Sequence, residues 1–168
     1  MLRKTVAAIL LVAGTATNVQ ASEMTLALEV PRLQVAEYHN PYVAVWVQSK
    51  STGNITNLAL WYQIDERGEG EKWLKDLRQW WRRSGRSLEM PVDSFTGATR
   101  RPGSYSIDVT EALEALPAGQ YTLYIEASRE VGGREILKLP ATLPAKEPIT
   151  VKAVGESELG TVALQIKP

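Results

Sequence analysis

The side chains that most often carry out covalent or metal chemistry are scarce in this sequence. It has no cysteine and one histidine, His39. A cysteine nucleophile is therefore excluded, and a zinc site with several His or Cys ligands is not expected. The Gly-x-Ser-x-Gly pattern of a nucleophile turn does not occur. We expect His39 to have a turn or packing role, and the loop carboxylates Asp65 and Glu66 to be solvated, so a catalyst is not the favoured class.

A segment of small and hydroxyl-bearing residues is the most informative chemical feature. Residues 93–99 have the sequence Asp-Ser-Phe-Thr-Gly-Ala-Thr and lie in a stretch rich in turn residues. Gly97 and Ala98 leave the backbone slim and mobile, which predicts an exposed loop. The segment resembles the acceptor sequence of the periplasmic flavin transferases, which attach FMN to a Ser or Thr hydroxyl through a phosphoester. The resemblance implies attachment at Thr99, with recognition of Asp93, Thr96, Gly97 and Ala98.

Two arginines and a pair of tryptophans are suited to such a group. Arg100 and Arg101 follow Thr99 directly, and a guanidinium pairs well with phosphate and favours a reduced, anionic flavin. On a helix the adjacent Trp80 and Trp81 diverge by about 100°, so one of them is expected near a surface or groove, where it would stack on a planar ring. A broad helix face packed on a sheet is the alternative interpretation.

Period-two alternation of apolar residues predicts a mainly β fold around this segment. Strands are expected at 24–30, 42–48, 58–64, 104–109, 121–128, 135–139, 149–154 and 161–166. The 42–48 strand is expected to be central because both of its faces are apolar, and Trp46 and Trp61 are expected in the core. The residues between Ser51 and Asn54 form a predicted hairpin loop. The pattern is typical of an antiparallel, immunoglobulin-like β-sandwich, in one domain over residues 22–168.

One segment departs from the β pattern. Trp73, Leu77, Trp80 and Trp81 recur at i, i+4, i+7 and i+8, which predicts one inserted amphipathic helix over 73–83. Gly85 is its predicted end. We expect Trp73 and Leu77 to be buried. A single helical turn, or a connection between sheets, is expected at 111–116.

The first residues have the order of a secretory signal peptide. Arg3 and Lys4 precede an apolar stretch, and Val19-Gln20-Ala21 places small residues at a cleavage site. We predict a signal peptide over 1–21 and a periplasmic mature chain from Ser22; a buried N-terminal helix is the alternative. No later apolar stretch is long enough to span a membrane. Removal of Arg3 and Lys4 from 19 basic residues, against 19 acidic ones, leaves a formal charge of −2, which argues against nucleic acid as a partner.

Longer stretches resemble a family of predicted periplasmic proteins, domain of unknown function family 2271. These stretches are residues 38–46, 58–62, 72–77 with Trp80-Trp81, 96–103, 117–123 and 125–130. The family resemblance implies association with PepSY-type membrane reductases and flavin transferases, in envelope electron transfer or iron acquisition. The chain departs from the family at 107–116, where members carry a Trp-Asp-Gly-x-Asp turn, and at Val131, where members tend to have histidine. A paired-histidine haem or metal site is therefore not expected.

Three hypotheses for function follow. The leading one is a periplasmic electron-transfer protein with FMN linked covalently to Thr99, partnered by a flavin transferase and a membrane-bound reductase. The second is a non-redox accessory or binding module of an envelope or iron-acquisition system, in which residues 96–99 are only a turn. The third is a haem- or metal-handling protein that uses His39 with Tyr38 or Tyr42.

Overall fold

Alternating apolar side chains pair the strands into two sheets packed face to face. The computed structural model describes residues 22–64 and 67–168, so the predicted signal peptide over 1–21 and the carboxylates Asp65 and Glu66 lie outside the described residues. The described strands are β1 (Glu23–Val30), β2 (Tyr42–Ser49), β3 (Ile55–Tyr62), β4 (Thr96–Ala98), β5 (Gly103–Asp108), β6 (Gly119–Ser128), β7 (Arg134–Leu143), β8 (Ile149–Val154) and β9 (Thr161–Lys167). One sheet has the order β5-β1-β9-β8 and the other β4-β3-β2-β6-β7.

The predicted mainly β sandwich is confirmed. In β1, Met24, Leu26, Leu28 and Val30 are buried between the sheets and alternate with more exposed residues, as period two requires. Strand β2 lies in the middle of the five-stranded sheet, and Trp46 and Trp61 are buried as expected. The β2–β3 hairpin closes as predicted: the N–H of Ser49 donates to the carbonyl of Asn54 at 2.9 Å, and Gly53 adopts a φ of 77°, which favours glycine.

The antiparallel pattern of the sandwich has one exception, at the edge of the five-stranded sheet. Strand β4 runs parallel to β3, with Leu60 opposite Thr96 and Tyr62 opposite Ala98. Parallel neighbours need a long crossover connection, and here the chain between β3 and β4 crosses the outer face of the five-stranded sheet. The crossover explains why a helical segment is inserted in a β-sandwich.

The inserted segment is not one helix. A 3₁₀ helix over Glu69–Asp76 precedes α1 (Arg78–Arg83), and a short 3₁₀ helix follows at Gly85–Ser87. Leu77 separates the first two with φ −74° and ψ 67°, which are not helical values. Further along the chain, α2 (Thr110–Glu114) corresponds to the predicted helical turn.

This break changes which tryptophan is buried. Leu74, Leu77 and Trp80, three residues apart, are almost fully buried against the outer face of the five-stranded sheet. Trp73 is 50% exposed, so its predicted burial is wrong, whereas that of Leu77 is confirmed. The reason is the tighter turn of the 3₁₀ helix, in which residues three apart share a face.

Polar side chains hold α1 on the sheet. The indole Nε1 of Trp80 donates to Oδ1 of Asn57 in β3 at 2.9 Å. Glu126 of β6 is fully buried and accepts hydrogen bonds from the backbone N–H groups of Gln79 and Trp80 and from Nε of Arg134. Gly85 lies so close to the Trp80 ring that a Cβ would be 2.4 Å from it, so a glycine is required there.

The two ends of the sandwich differ: one has a buried ion pair and the other an open cavity. At one end, Arg129 and Glu158 form a buried bidentate ion pair, with Nε–Oε2 2.8 Å and Nη2–Oε1 3.2 Å. At the other end, Ser22 and Pro168 line one open cavity together with apolar residues such as Leu113 and Leu143. In the described part of the chain, every helix is too short or too polar to cross a bilayer.

Candidate functional site

Residues 96–98 form an edge strand and not the predicted loop. The N–H of Leu60 donates to the carbonyl of Phe95 at 2.7 Å, and the N–H of Thr99 donates to the carbonyl of Tyr62 at 3.0 Å. These bonds place Thr99 directly after β4, with its backbone fixed to β3. The predicted attachment residue is therefore at the end of a strand held by the sheet, and its side chain is half-buried.

The rest of the acceptor-like segment is divided between a turn and the strand. Asp93 is exposed in a turn in which the N–H groups of Phe95 and Thr96 donate to the carbonyl of Val92. The Thr96 hydroxyl donates to the same carbonyl at 2.9 Å, so Thr96 stabilises the turn that begins β4. Ala98 is exposed at the sheet edge.

Gly97 is not required by the fold. A Cβ added to Gly97 would have Cδ1 of Trp61 as its nearest heavy atom, at 3.6 Å, an ordinary van der Waals contact. Its φ lies outside the left-handed region that favours glycine. Packing therefore gives no reason for glycine at this position, in contrast to Gly85.

Thr99 lines a cavity of about 330 Å³ that aromatic rings surround. The cavity lies where β2 begins and where β3, β4 and β6 end, beside the first 3₁₀ helix. Its wall combines rings, amides, hydroxyls and carboxylates: Tyr38, His39, Asn40, Tyr42, Gln63, Trp73, Asp76, Thr99, Ser128 and Glu130.

Close backbone packing places Trp73 at this cavity. Gly70 approaches the end of β3 so closely that a Cβ would be 1.8 Å from the carbonyl oxygen of Gln63. The Tyr42 hydroxyl donates to the carbonyl of Gly70 at 3.1 Å. The 3₁₀ helix is therefore held against the ends of β2 and β3, and the half-exposed Trp73 ring becomes part of the wall.

The cavity carries more carboxylates than cations. Asp76 and Glu130 line it, and His39 Nδ1 is 3.6 Å from Oε2 of Glu130. His39 Nε2 is 2.9 Å from Oε1 of Glu37, in the loop before β2. Among residues 22–64 and 67–168, no three His, Cys, Asp or Glu side chains lie close enough together to hold a metal ion.

Arg100 and Arg101 have different surroundings. The Arg100 guanidinium lies over the rings of Trp61 and Tyr105, 5.4 and 5.7 Å from their centroids, at the edge of the core. Arg101 lines a second cavity of about 460 Å³ with Arg32, Leu33, Tyr38, Asn40 and Pro102. Tyr38 and Asn40 line both cavities, so the two cavities adjoin. Arg32 lies far upstream of Thr99 in the sequence, so no local pattern linked the two residues.

Tyr38 lines both cavities and packs beside the Arg129–Glu158 ion pair. Burial raises the pKa of the Tyr38 hydroxyl, although the Arg129 guanidinium opposes this. Arg129 lies 5.7 Å from the centroid of the Tyr38 ring. The tyrosine therefore stays neutral at ordinary pH and lines both cavities as an uncharged phenol.

The tryptophan at the cavity is not one of those expected. Trp80 is fully buried, so the expectation that it stacks on a ligand is wrong. Trp81 is half-buried and packs beside Trp80, with the ring centroids 6.4 Å apart. Trp73 supplies the exposed ring. The i, i+4 pattern concealed this, because it placed Trp73 on the buried stripe.

Comparison with known proteins identifies the family. No curated protein and no solved structure matches the chain. The profile of the family described as "Predicted periplasmic protein (DUF2271)" matches residues 23–161, which include every strand from β1 to β8 and both cavities. This span is most of the chain, and it gives the chain a periplasmic location. The protein is therefore a member of the DUF2271 family of periplasmic proteins.

Proposed function

We propose that this protein is a periplasmic electron carrier with FMN linked by a phosphoester to the Thr99 hydroxyl. One observation carries the proposal: the threonine of the acceptor-like segment lines an open cavity that also contains the Trp73, Tyr38 and Tyr42 rings. The proposed partners are a periplasmic flavin transferase, which makes the bond, and a membrane-bound PepSY-type reductase, which exchanges electrons with the protein. The chain is a carrier and not a catalyst.

The cavity suits a planar aromatic ring. Its volume is at the lower end of the range of about 300–1,000 Å³ that is usual for small-molecule sites. The half-exposed Trp73 ring, with Lys75 Nζ 5.8 Å from its centroid, is available for stacking, and the hydroxyls and amides of the cavity wall offer hydrogen bonds to a bound ring. When bound, FMN supplies one- and two-electron redox chemistry, and the chain orients the ring and sets its electrostatic surroundings.

The adjoining cavity suits the phosphate. Arg101 is two residues from Thr99, and Arg32 lines the same cavity as Arg101, so two arginines line the space that adjoins the cavity of the attachment residue. Guanidinium groups bind phosphate oxygens with charge-assisted hydrogen bonds. Arg100 is held by Trp61 and Tyr105, so we assign the phosphate contact to Arg101 and Arg32.

The attachment step balances as a phosphoryl transfer from FAD. Oγ of Thr99 forms a bond to the phosphorus on the FMN side, the P–O–P bond of FAD breaks, and AMP leaves. The hydroxyl proton is released, and no oxidant or reductant is consumed. The product mass is that of the chain plus one FMN less one water.

The cavity charges predict the redox character of the carrier. Asp76 and Glu130 disfavour additional negative charge on a ring bound beside them. We therefore propose that these two carboxylates, and not Arg100 and Arg101, determine the charge preference of the ring, because neither arginine lines this cavity. A low reduction potential is the expected result, and neutralising either carboxylate should raise it.

Co-expression with a flavin transferase tests the proposal. The wild-type chain should gain the FMN mass and an in-gel fluorescence that survives denaturation. Thr99→Ala should abolish the label, since Ala has no hydroxyl, and Thr99→Ser should retain part of it. Thr96→Ala should lower the labelling less than Thr99→Ala, because the Thr96 hydroxyl stabilises the turn and is not bonded to the flavin. An unlabelled wild-type chain beside a labelled control substrate would exclude the proposal, as would a label that survives Thr99→Ala.

A basic surface favours the second candidate, a non-redox binding module of an envelope or iron-acquisition system. Arg78, Arg82, Arg83 and Arg86 are exposed on and after α1, and no acidic residue occurs between positions 77 and 88. Such a surface suits an acidic partner. Protein from the native periplasm distinguishes the two candidates: a colourless chain whose partner binding is lost in Arg78→Glu/Arg82→Glu supports the module, whereas a covalently yellow chain supports the carrier.

A further inference from the structure

We infer that the flavin transferase binds the free edge of β4 as an added strand, and that it hydrogen-bonds to the backbone of Ala98. This inference rests on the proposed function, because it assumes that Thr99 is the flavin acceptor. It concerns how the partner recognises the segment while β4 remains in the sheet.

The ladder between β3 and β4 fixes which backbone groups are available. In a parallel pair, alternate residues direct both backbone groups at the partner strand. The bonds from Leu60 to Phe95 and from Thr99 to Tyr62 assign residues 95, 97 and 99 to the β3 side. The N–H and C=O of Ala98 therefore point away from β3.

The outward side of β4 is open. Strand β4 is the outer strand of its sheet in the described residues, and Ala98 is exposed. Thr96 also faces outward, but its N–H donates to the carbonyl of Val92 at 3.0 Å. Ala98 is therefore the residue of β4 that offers both a donor and an acceptor to a strand laid along this edge.

An added strand explains features that the fold itself does not require. Main-chain pairing supplies affinity in such complexes, and small side chains let the two backbones approach. Gly97 has no packing reason to be glycine, and Ala98 is the smallest side chain with a Cβ. Because β3 already holds the segment extended, the transferase does not bear the cost in entropy of ordering it. Thr99 lies next to the paired residue.

The competing mode is detachment of β4, which would enter the transferase as a flexible loop. The two modes differ at two neighbouring amides. In edge binding, the Thr99 N–H stays bonded to Tyr62 and the Ala98 N–H becomes newly protected. In detachment, the Thr99 N–H loses its protection.

Hydrogen exchange on the inert Thr99→Ala chain, in complex with the transferase, measures both amides. Edge binding predicts slower exchange at residue 98 and unchanged exchange at residue 99, relative to the free chain. Faster exchange at residue 99, or unchanged exchange at residue 98, would overturn the inference. The measurement needs no flavin transfer, so it does not depend on the fate of the label.

A matched pair of variants tests the same contact kinetically. Ala98→Pro removes the outward N–H and leaves the β3 ladder intact, because that ladder uses residues 97 and 99. Ala98→Ser changes the side chain and keeps the N–H. We expect the labelling rate to fall about tenfold for Ala98→Pro, the equivalent of one lost hydrogen bond, and to stay near the wild-type rate for Ala98→Ser.

The outcomes separate this inference from the proposed function. An unlabelled wild-type chain means that the proposed function fails. A labelled wild-type chain with equal rates for all three proteins, or with equal losses in both variants, means that edge pairing at Ala98 is wrong. The melting temperature of each variant reports whether β4 is retained; if Ala98→Pro melts early, the exchange experiment decides.

Discussion

The buried carboxylate of Glu126 accepts a hydrogen bond of 2.8 Å from the backbone N–H of Trp80. The acceptor belongs to the central part of the five-stranded sheet, and the donor belongs to the first turn of α1. The N-cap residue of α1, Leu77, makes no side-chain capping hydrogen bond, so Glu126 of the sheet accepts the hydrogen bonds that an N-cap side chain usually accepts. The crossover that precedes β4 is therefore held in place by a side chain of the sheet.

Removal of this cap should destabilise the whole chain. In Glu126→Ala the amides of Gln79 and Trp80 and the Arg134 guanidinium lose a shared acceptor. We expect the free energy of unfolding to fall by at least about 2 kcal/mol, measured by urea titration. Glu147→Ala, at an exposed position, is the control and should stay within about 0.5 kcal/mol of wild type. Equal stabilities of the two variants would contradict the capping role.

Truncation of two tryptophans seven residues apart should change stability by very different amounts. Trp80→Ala empties a fully buried site and should lower the free energy of unfolding by about 3–5 kcal/mol. Trp73→Ala removes a ring that is 50% exposed and should cost within about 0.5 kcal/mol, as at an exposed site. Thermal or urea unfolding distinguishes the two. A large loss in Trp73→Ala would mean that its ring packs more deeply than described.

Acid should weaken the contact between β7 and the β8–β9 loop. Burial raises the pKa of Glu135. Hydrogen bonds from the amides of Glu156, Leu159 and Ser157 lower this pKa by more than burial raises it, so the net shift is downward from 4.5. A lowered folded-state pKa stabilises the chain above the unfolded value, and the gain is lost as pH falls through the folded value. Glu135→Gln should therefore be less stable than wild type at pH 7, and the difference in stability should narrow as the pH falls below 4.5. A difference independent of pH would exclude this linkage.

The arginine assignment can be tested on the flavin-labelled chain. Arg32→Ala and Arg101→Ala should each change the ³¹P chemical shift of the phosphodiester, because both side chains line the cavity beside Thr99. Arg100→Ala is the matched control, since its guanidinium lies over Trp61 and Tyr105. A shift change confined to Arg100→Ala would reverse the assignment.

Strands with one buried face were predictable because burial imposes a period of two. Strand β1 follows that period from Met24 to Val30, and β2 was identified as central from its two apolar faces. Strand β4 could not be found in this way. Its three residues are too few to define a period, and its partner β3 is reached through a long crossover. Short parallel edges depend on tertiary pairing and leave no local pattern.

The type of helix at 69–83 and the lining of the cavity could not be predicted from sequence spacing. Leu74, Leu77 and Trp80 suit three residues per turn, whereas Trp73, Leu77 and Trp81 suit an α-helix, and only the backbone at Leu77 decides between them. Thr99 was found from its local sequence. The fold brings Trp73 to the cavity of Thr99 and Arg32 to the adjoining cavity, from distant parts of the chain, so no spacing indicated them.

The position of Ser22 and Pro168 determines how the protein can be handled. Both line one cavity beside the start of β1. Val30, at the other end of that strand, pairs with Gly103, which follows Pro102 in the lining of the cavity of Arg32 and Arg101. Eight residues at about 3.3 Å each put about 25 Å between the two ends. A dye or a surface tether attached at Ser22 or Pro168 therefore leaves Thr99 accessible.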